Sequence, residues 1–239
     1  MENDLECVAL DNQSQKLNKT IRKNKLQIKI MAIVLSVLFI FITAFVVLGM
    51  IAESVYFYTG VEGSSMKPTI NASAQDSKQA YDHVYVNTYQ KGTYNDIIVI
   101  EHTGRGGDVK KVIKRLIAMG GDTVKIDNSD SSRTRVYVND VLLDEDYLDL
   151  TRNSTFRGFS SGQTTLTVPE GYIFYMGDNR NGSDDCRAYY YTEVPFCEKV
   201  SNIVGRVDYI VPYENLENGD GKNSERFWNG MREVFFSIF

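Results

Sequence analysis

Residues 61–70 read VEGSSMKPTI, with two adjacent serines after a glycine and a proline three residues beyond the second. A serine hydroxyl attacks a carbonyl only if a neighbouring base takes its proton. The chain has two histidines, His83 and His102, at the start and end of strand-like runs, where a structural role is the ordinary one. A Ser-His-Asp arrangement has no well-placed histidine here. No His or Cys group has metal-ligand spacing, and no glycine-rich loop opens a helix to cradle a phosphate. A metal site and a cofactor are therefore not expected.

The remaining base for a serine is lysine. Free lysine titrates near 10.4, so the amine must be desolvated before it can accept a proton. The stretch KKVIKRLIAM (110–119) offers such a position. In a strand, alternate residues share a face, which groups Lys114 with Val112, Leu116 and Ala118. Arg115 lies on the other face with Ile113 and Ile117 and cannot give up its proton. Lys110 and Lys111 sit at the polar start of the run. A lysine that merely snorkels from a core edge is the alternative reading of Lys114. A third stretch, GDNRNGSDDCR (177–187), packs Asp178, Arg180, Asp184, Asp185 and Arg187 into one turn region after the strand-like YIFYM. It reads either as a solvated acidic loop or as a loop held by internal Asp–Arg pairs that presents Ser183 to a neighbouring site.

Together the three stretches resemble the type I signal peptidases, the membrane-bound Ser-Lys dyad peptidases of family S26. GSSMKPT is similar to that family's nucleophile box, VIKRLIAMGGDTV to its lysine box, and GDNRNGSDDCR to its third box, in the same order. The resemblance implies Ser65, before Met66, as nucleophile and Lys114 as general base. It implies that the Ser65 N–H helps form the oxyanion hole. Some members add a hydroxyl donor two positions earlier; here that position is Gly63. By the same resemblance Ser183 orients the Lys114 amine, and the pairs Asp178–Arg180 and Asp185–Arg187 hold the loop. Val61, Met66, Ile70 and Ile113 are implied linings of shallow pockets for small residues, with Ala at the first and third positions before the cut. The implied substrates are preprotein signal peptides, paired as an added strand. The lipid bilayer is the implied surrounding, and the secretion translocon is a candidate partner.

Cys186 stands where the family usually has Ser, and the longer stretch from there to Gly205 contains Cys197. This departure suggests a disulfide between Cys186 and Cys197. The third cysteine, Cys7, lies before the apolar run.

These residues need elements to position them. Ile30 to Ala52 is a run of 23 residues without a charge. As a helix it would extend about 34 Å, enough to cross a bilayer core of about 30 Å. It is longer than a signal-peptide core, and Met50 stands where a cleavage site wants a small residue, so an uncleaved anchor is expected. Residues 1–29 carry a net charge of +2 and the rest −7. The positive flank places the N-terminus in the cytoplasm and the catalytic body outside, as a single-pass protein of the cell membrane. An acidic body also argues against nucleic-acid binding.

Beyond the anchor, short strand-like runs occur at 83–89, 96–102, 111–119, 123–126, 135–140, 164–170, 171–179 and 202–213, with Gly and Asp turns between them. This pattern predicts an all-β fold, a mainly antiparallel barrel or sandwich, plus one N-terminal transmembrane helix. The expected organisation is a cytoplasmic segment 1–29, an anchor 30–52, a peptidase domain 53–213 with an inserted subdomain at 127–163, and a linker with a short C-terminal segment at 214–239. Two rival readings remain: a self-cleaving repressor of the same peptidase clan, and an inactive membrane-anchored surface protein that only binds exported chains.

Overall fold

The computed structural model describes residues 2–71, 81–103, 107–188 and 194–213, with side chains of the first helix described over 15–50 and at 55. The expected linker and C-terminal segment, 214–239, lie outside the described residues.

Helix α1 runs from Glu2 to Val55. No proline interrupts it, and its first glycine is Gly49. It therefore begins well before the uncharged run, and residues 2–29 are helical too. The stretch Gln15–Met50 is long and apolar enough to cross a membrane, and its most apolar part is unburied. Its hydroxyls are satisfied within the helix: Ser36 Oγ donates to Ala32 O at 2.8 Å and Thr43 Oγ1 to Phe39 O at 3.0 Å. Such back-bonding lets a polar side chain sit in an apolar span without an unmet donor.

Among the described residues the β body has eleven strands. In chain order they are β1 (Tyr56–Gly60), β2 (His83–Asn87), β3 (Ile97–Thr103), β4 (Val109–Met119), β5 (Thr123–Asp127), β6 (Arg135–Val138), β7 (Val141–Leu142), β8 (Thr165–Thr167), β9 (Tyr172–Met176), β10 (Glu198–Lys199) and β11 (Ile203–Val211). A one-turn helix, α2 (Leu150–Asn153), lies between β7 and β8. Seven strands form one sheet in the order β1-β2-β11-β3-β4-β9-β10, and four form a second in the order β7-β6-β5-β8. Every pairing is antiparallel. The fold class is thus the expected one, mainly antiparallel β with one N-terminal apolar helix.

The expected subdomain at 127–163 belongs to the second sheet, which extends further on both sides to include β5 and β8. Its polar composition follows from its exposure. Only Val136 of β6 is fully buried, and both residues of β7 are exposed. The β6–β7 hairpin turns at Asn139 and Asp140 with φ of 52° and 62°, the double left-handed geometry that these residue types tolerate. Strands β1, β7 and β10 are not among the runs singled out from the sequence, although the aromatic Tyr56–Tyr58 of β1 are good strand formers. β7 and β10 are two residues each, and β1 continues directly from α1.

Two apolar clusters fill the body. The larger contains Ile98, Ile100, Leu116 to Ala118, Phe159, Phe174 and Tyr175; the smaller contains Val61, Met66, Ile70, Val84, Val86, Val99 and Ile113. β4 contributes to both, and its residues 113–118 are buried without a break. A bulge opposite β9, between Leu116 and Ala118, disturbs the two-residue alternation there. A polar side chain in the middle of β4 therefore cannot reach bulk water along either face.

Candidate active site

The segment 61–71 leaves the end of β1 and returns toward β2. A reciprocal clamp closes it. Asn71 N donates to Asp82 Oδ2 at 2.6 Å, and Asp82 N donates to Asn71 Oδ1 at 2.7 Å. Asn71 Nδ2 also donates to the carbonyls of Val61 (2.6 Å) and Gly63 (3.0 Å). Asn71 is 1% exposed and has φ of 62°, a conformation that Asn adopts more readily than most residues. Val61, Met66 and Ile70 anchor the loop in the smaller cluster, where they meet Ile113. Ser65 is left at the half-buried crest of the loop.

Lys114 comes from the middle of β4, opposite Ile98 of β3. It is 4% exposed. Its Nζ donates to Ser65 Oγ at 2.9 Å and to Ile113 O at 3.0 Å. Burial drives the amine below its ordinary range, against the opposing pull of the Asp185, Asp184 and Asp178 carboxylates. The structure thus brings together Ser65 and Lys114, which lie 49 positions apart in the chain, at hydrogen-bond distance.

The loop 177–187 forms the third side, with ion pairs that differ in part from those expected. Asp185 pairs with Arg187 through two bonds of 2.8 Å and accepts from Gly177 N at 3.0 Å. Burial raises the Asp185 carboxyl, but Arg187 and that N–H overcome it and hold it below the usual carboxylate range. The expected Asp178–Arg180 pair does not form. Asp178 instead receives a two-pronged contact from Arg115 at 2.8 and 2.6 Å, and Thr69 Oγ1 donates to it at 2.5 Å. The register is the cause: Arg115 faces Met176 across β4 and β9, so Asp178, two residues on, arrives beside the guanidinium. Arg180 turns the other way and meets Glu145 at 2.5 Å, with Tyr147 Oη 3.2 Å from Nη2. The Arg115 Cζ lies 3.8 Å from the Tyr147 ring centroid and the Arg180 Cζ 5.9 Å, so both guanidiniums have this ring as a neighbour. Burial lifts the Glu145 carboxyl, with Arg180 opposing.

Ser183 lies in the site but makes no hydrogen bond to Lys114. Its hydroxyl is buried with no well-aligned partner among the described residues, though it is near enough to Asp185 to help hold that carboxylate ionised. A Cβ at Gly177 would collide with both Ser183 Oγ and the Ser65 carbonyl, so glycine is required where the two loops meet. Of the expected pocket linings, Val61 (7% exposed) and Ile113 (9%) keep a little exposure, whereas Met66 and Ile70 (2% and 0%) support the loop from beneath.

The expected disulfide is not formed. Cys186 and Cys197 are free, buried thiols. The Cys186 sulfur is engaged with the sheet instead, accepting from Tyr175 N at 3.4 Å, and Cys197 packs in the larger cluster beside Phe196. Burial pushes both thiols up, Cys197 to about 11, so both are protonated near neutral pH. His83 stacks on Tyr58 at 4.9 Å, and His102 lies 3.1 Å from Glu198. Neither histidine is among the contacts of Ser65 or Lys114.

Sequence reasoning missed Asn71, Asp82, Thr69, Arg115, Glu145, Tyr147 and Asn179 as parts of this assembly. Arg115 carried a usable signal: an arginine in an apolar strand must find a carboxylate. Asn179 binds the nucleophile loop twice, through N to Ser65 O at 3.0 Å and through Nδ2 to Ser64 O at 3.1 Å.

Comparison with known proteins identifies the family. The profile of the family described as Signal peptidase, peptidase S26, matches residues 30–212. Signal peptidase I U of Bacillus subtilis (strain 168) is 35% identical over 133 residues, 53% of this chain and 63% of that protein. Signal peptidase I of Bacillus caldolyticus is 32% identical over 158 residues, 62% of this chain and 75% of that protein. A crystal structure of a signal peptidase I from Enterococcus faecalis V583 is 31% identical and covers 49% of this chain and 97% of that one, with a TM-score of 0.36. From a match that spans most of its length, this chain belongs to the signal peptidase family, peptidase S26.

Proposed function

We propose that this chain is a membrane-anchored serine endopeptidase that removes signal peptides from exported preproteins by a Ser65–Lys114 dyad. The observation that carries the reading is a lysine, 4% exposed, whose Nζ lies 2.9 Å from a serine Oγ. With the amine neutral, the contact runs the other way: the Ser65 hydroxyl donates to the Nζ lone pair. As Ser65 Oγ bonds to the substrate carbonyl carbon, its proton passes to Lys114, and the carbonyl oxygen becomes an oxyanion facing Ser65 N–H. The C–N bond then breaks and Lys114 returns the proton to the leaving amine, which leaves an ester on Ser65. Lys114 next takes a proton from water, the hydroxide adds to the ester carbonyl carbon, and the bond to Ser65 Oγ breaks as Lys114 returns that proton to the serine oxygen, which frees the acid product and restores the dyad. In this reading Ser183 is the residue that orients the Lys114 amine.

The substrates in this reading carry small residues, of the Ala-x-Ala kind, before the cut. Val61 and Ile113 line the floor that larger side chains would strike, with Met66 and Ile70 behind it. The helix α1 is the anchor, with residues 1–29 on the cytoplasmic side and the β body outside, next to the bilayer and the secretion translocon. Ser65→Ala and Lys114→Ala, made in the full chain and assayed on a preprotein, are each expected to abolish cleavage. If either variant cuts like the parent, the dyad assignment is wrong.

A further inference from the structure

The peptide groups leading into Ser65 are gripped by their carbonyls. Gly63 O accepts from Asn71 Nδ2 at 3.0 Å. Ser64 O accepts from Asn179 Nδ2 at 3.1 Å and from Lys67 N at 3.2 Å. Ser65 O accepts from Asn179 N at 3.0 Å. A trans peptide is planar, with its C=O and N–H directed to opposite sides. The Ser64 carbonyl and the Ser65 N–H belong to one such plane. A group that fixes the first aims the second.

We propose that Asn179 is a positioning residue for the oxyanion hole: its side-chain amide holds the Ser64 carbonyl and so points Ser65 N–H at the oxygen that becomes charged. This rests on the assignment of Ser65 as nucleophile. Asn179 does not touch the substrate; it acts through the backbone of Ser65.

The amide is itself held in one orientation. Asn179 Oδ1 accepts from Gly182 N at 3.2 Å, which leaves Nδ2 for Ser64. A Cβ at Gly182 would collide with this amide, so the turn is shaped around it. The neighbouring residue fixes the other end. Asp178 is bonded to Arg115, which directly follows Lys114, and to Thr69 of the nucleophile loop. Residues 178 and 179 thus tie the base-bearing strand to the serine-bearing loop, and a drift of one past the other breaks a bond. The role matters more here because Gly63 offers no hydroxyl as a further donor, which leaves the Ser65 N–H a larger share of the oxyanion's stabilisation.

Two variants test this in the full-length protein in detergent. Asn179→Asp keeps size and the acceptor for Gly182 N–H but turns an oxygen toward the Ser64 carbonyl. Asn179→Ala removes the donor without adding charge. Loss of one oxyanion donor typically lowers kcat by about 10²–10³, and misaiming it should forfeit part of that, roughly 10–10². KM should stay within about two-fold of the parent, and the Asn179→Ala pH profile should keep its shape.

The discriminating probe is a peptide aldehyde with an Ala-x-Ala sequence. Its carbonyl carbon bonds to Ser65 Oγ, and its oxygen occupies the hole. Its affinity should fall by the same factor as kcat. Binding of the uncleaved peptide in a Ser65→Ala background should not change. If kcat stays within two-fold in both variants, or falls while aldehyde affinity holds, the inference is wrong. Ser65→Ala and Lys114→Ala in the same cleavage assay separate the two claims. If they are inactive while the Asn179 variants are normal, only the inference falls; if they are active, the dyad reading falls first.

Discussion

Lys110 and Lys114 lie four residues apart on β4, and the fold moves their amines in opposite directions. Lys110 is fully exposed and donates to Asp108, 2.7 Å away; that bond raises its pKa. Lys114 is enclosed by the run of buried residues 113–118, and burial lowers its pKa. Chemically the two side chains are identical. What differs is the end of the strand on which each sits: the open end, where a carboxylate rewards the charge, or the closed middle, where water is missing. A surface lysine is a permanent cation, whereas an enclosed one can become a base.

The sharpest break of this contrast is to remove each amine. Lys114→Met should lower cleavage by at least about 10²–10⁴, the share typical of a general base. Lys110→Met should leave kcat within about two-fold. Lys114→Met should also raise the melting temperature near neutral pH, because each unit of pKa depression costs about 1.4 kcal/mol when the proton is forced on. Cleavage of a preprotein and thermal unfolding of the same samples check both outcomes.

Next in size is the frame around Lys114. Asp178→Ala leaves the Arg115 guanidinium buried and uncompensated, and should destabilise the β body by about 3–5 kcal/mol in denaturant unfolding. Asp108→Ala, beside Lys110, should leave the unfolding midpoint almost unchanged, as exposed pairs do.

The third test is pH. In the proposed dyad Lys114 acts as a neutral amine, so cleavage should rise with pH through its lowered pKa. The stability linkage has a definite sign. The cost of burying Lys114 is full below the lowered folded value and fades as pH climbs toward the ordinary 10.4, because the unfolded chain holds the proton across that window. Lys110, with a raised pKa, contributes the reverse: its gain is present below 10.4 and is lost as pH passes the folded value. Lys110→Met should therefore leave the acid limb of the pH–rate profile where it is.

The smallest effect concerns the opposing carboxylates. Asp184 pulls the Lys114 amine upward from an exposed position. Asp184→Asn should move the acid limb slightly toward lower pH, since water screens the exposed carboxylate. A limb that stayed in place or moved the other way would mean that Asp184 does not hold the Lys114 amine up.

Much of the site was legible in advance because its parts are local. The resemblance to the S26 peptidases singled out Ser65 over Ser64, whereas the apolar company of Lys114 on β4 was written in adjacent residues. The Asp185–Arg187 pair, two residues apart, was equally readable. Asp178 was not. The resemblance implied that it pairs with Arg180, yet the register of β4 on β9 delivered Arg115 instead, and Arg180 found Glu145 in the segment between β7 and β8. The cysteines failed for a similar reason. Spacing and compartment allow a bridge, but a bridge needs two sulfurs turned toward each other, and the Cys186 sulfur is turned to the backbone of β9. Asn71 and Asn179 left no mark because a side-chain amide gains its meaning only from the carbonyls it meets.

By itself the sequence determined the apolar run of 23 residues, the strand periodicities and the small set of groups able to donate or accept a proton. These are properties of consecutive residues, and hydrophobic patterning carries them directly. Only the tertiary structure decided which carboxylate meets which arginine and that the Lys114 amine is closed off from water within 2.9 Å of Ser65 Oγ. An amine's proton affinity depends on everything packed around it, and those neighbours come from β3, the 61–71 loop and the 177–187 loop at once.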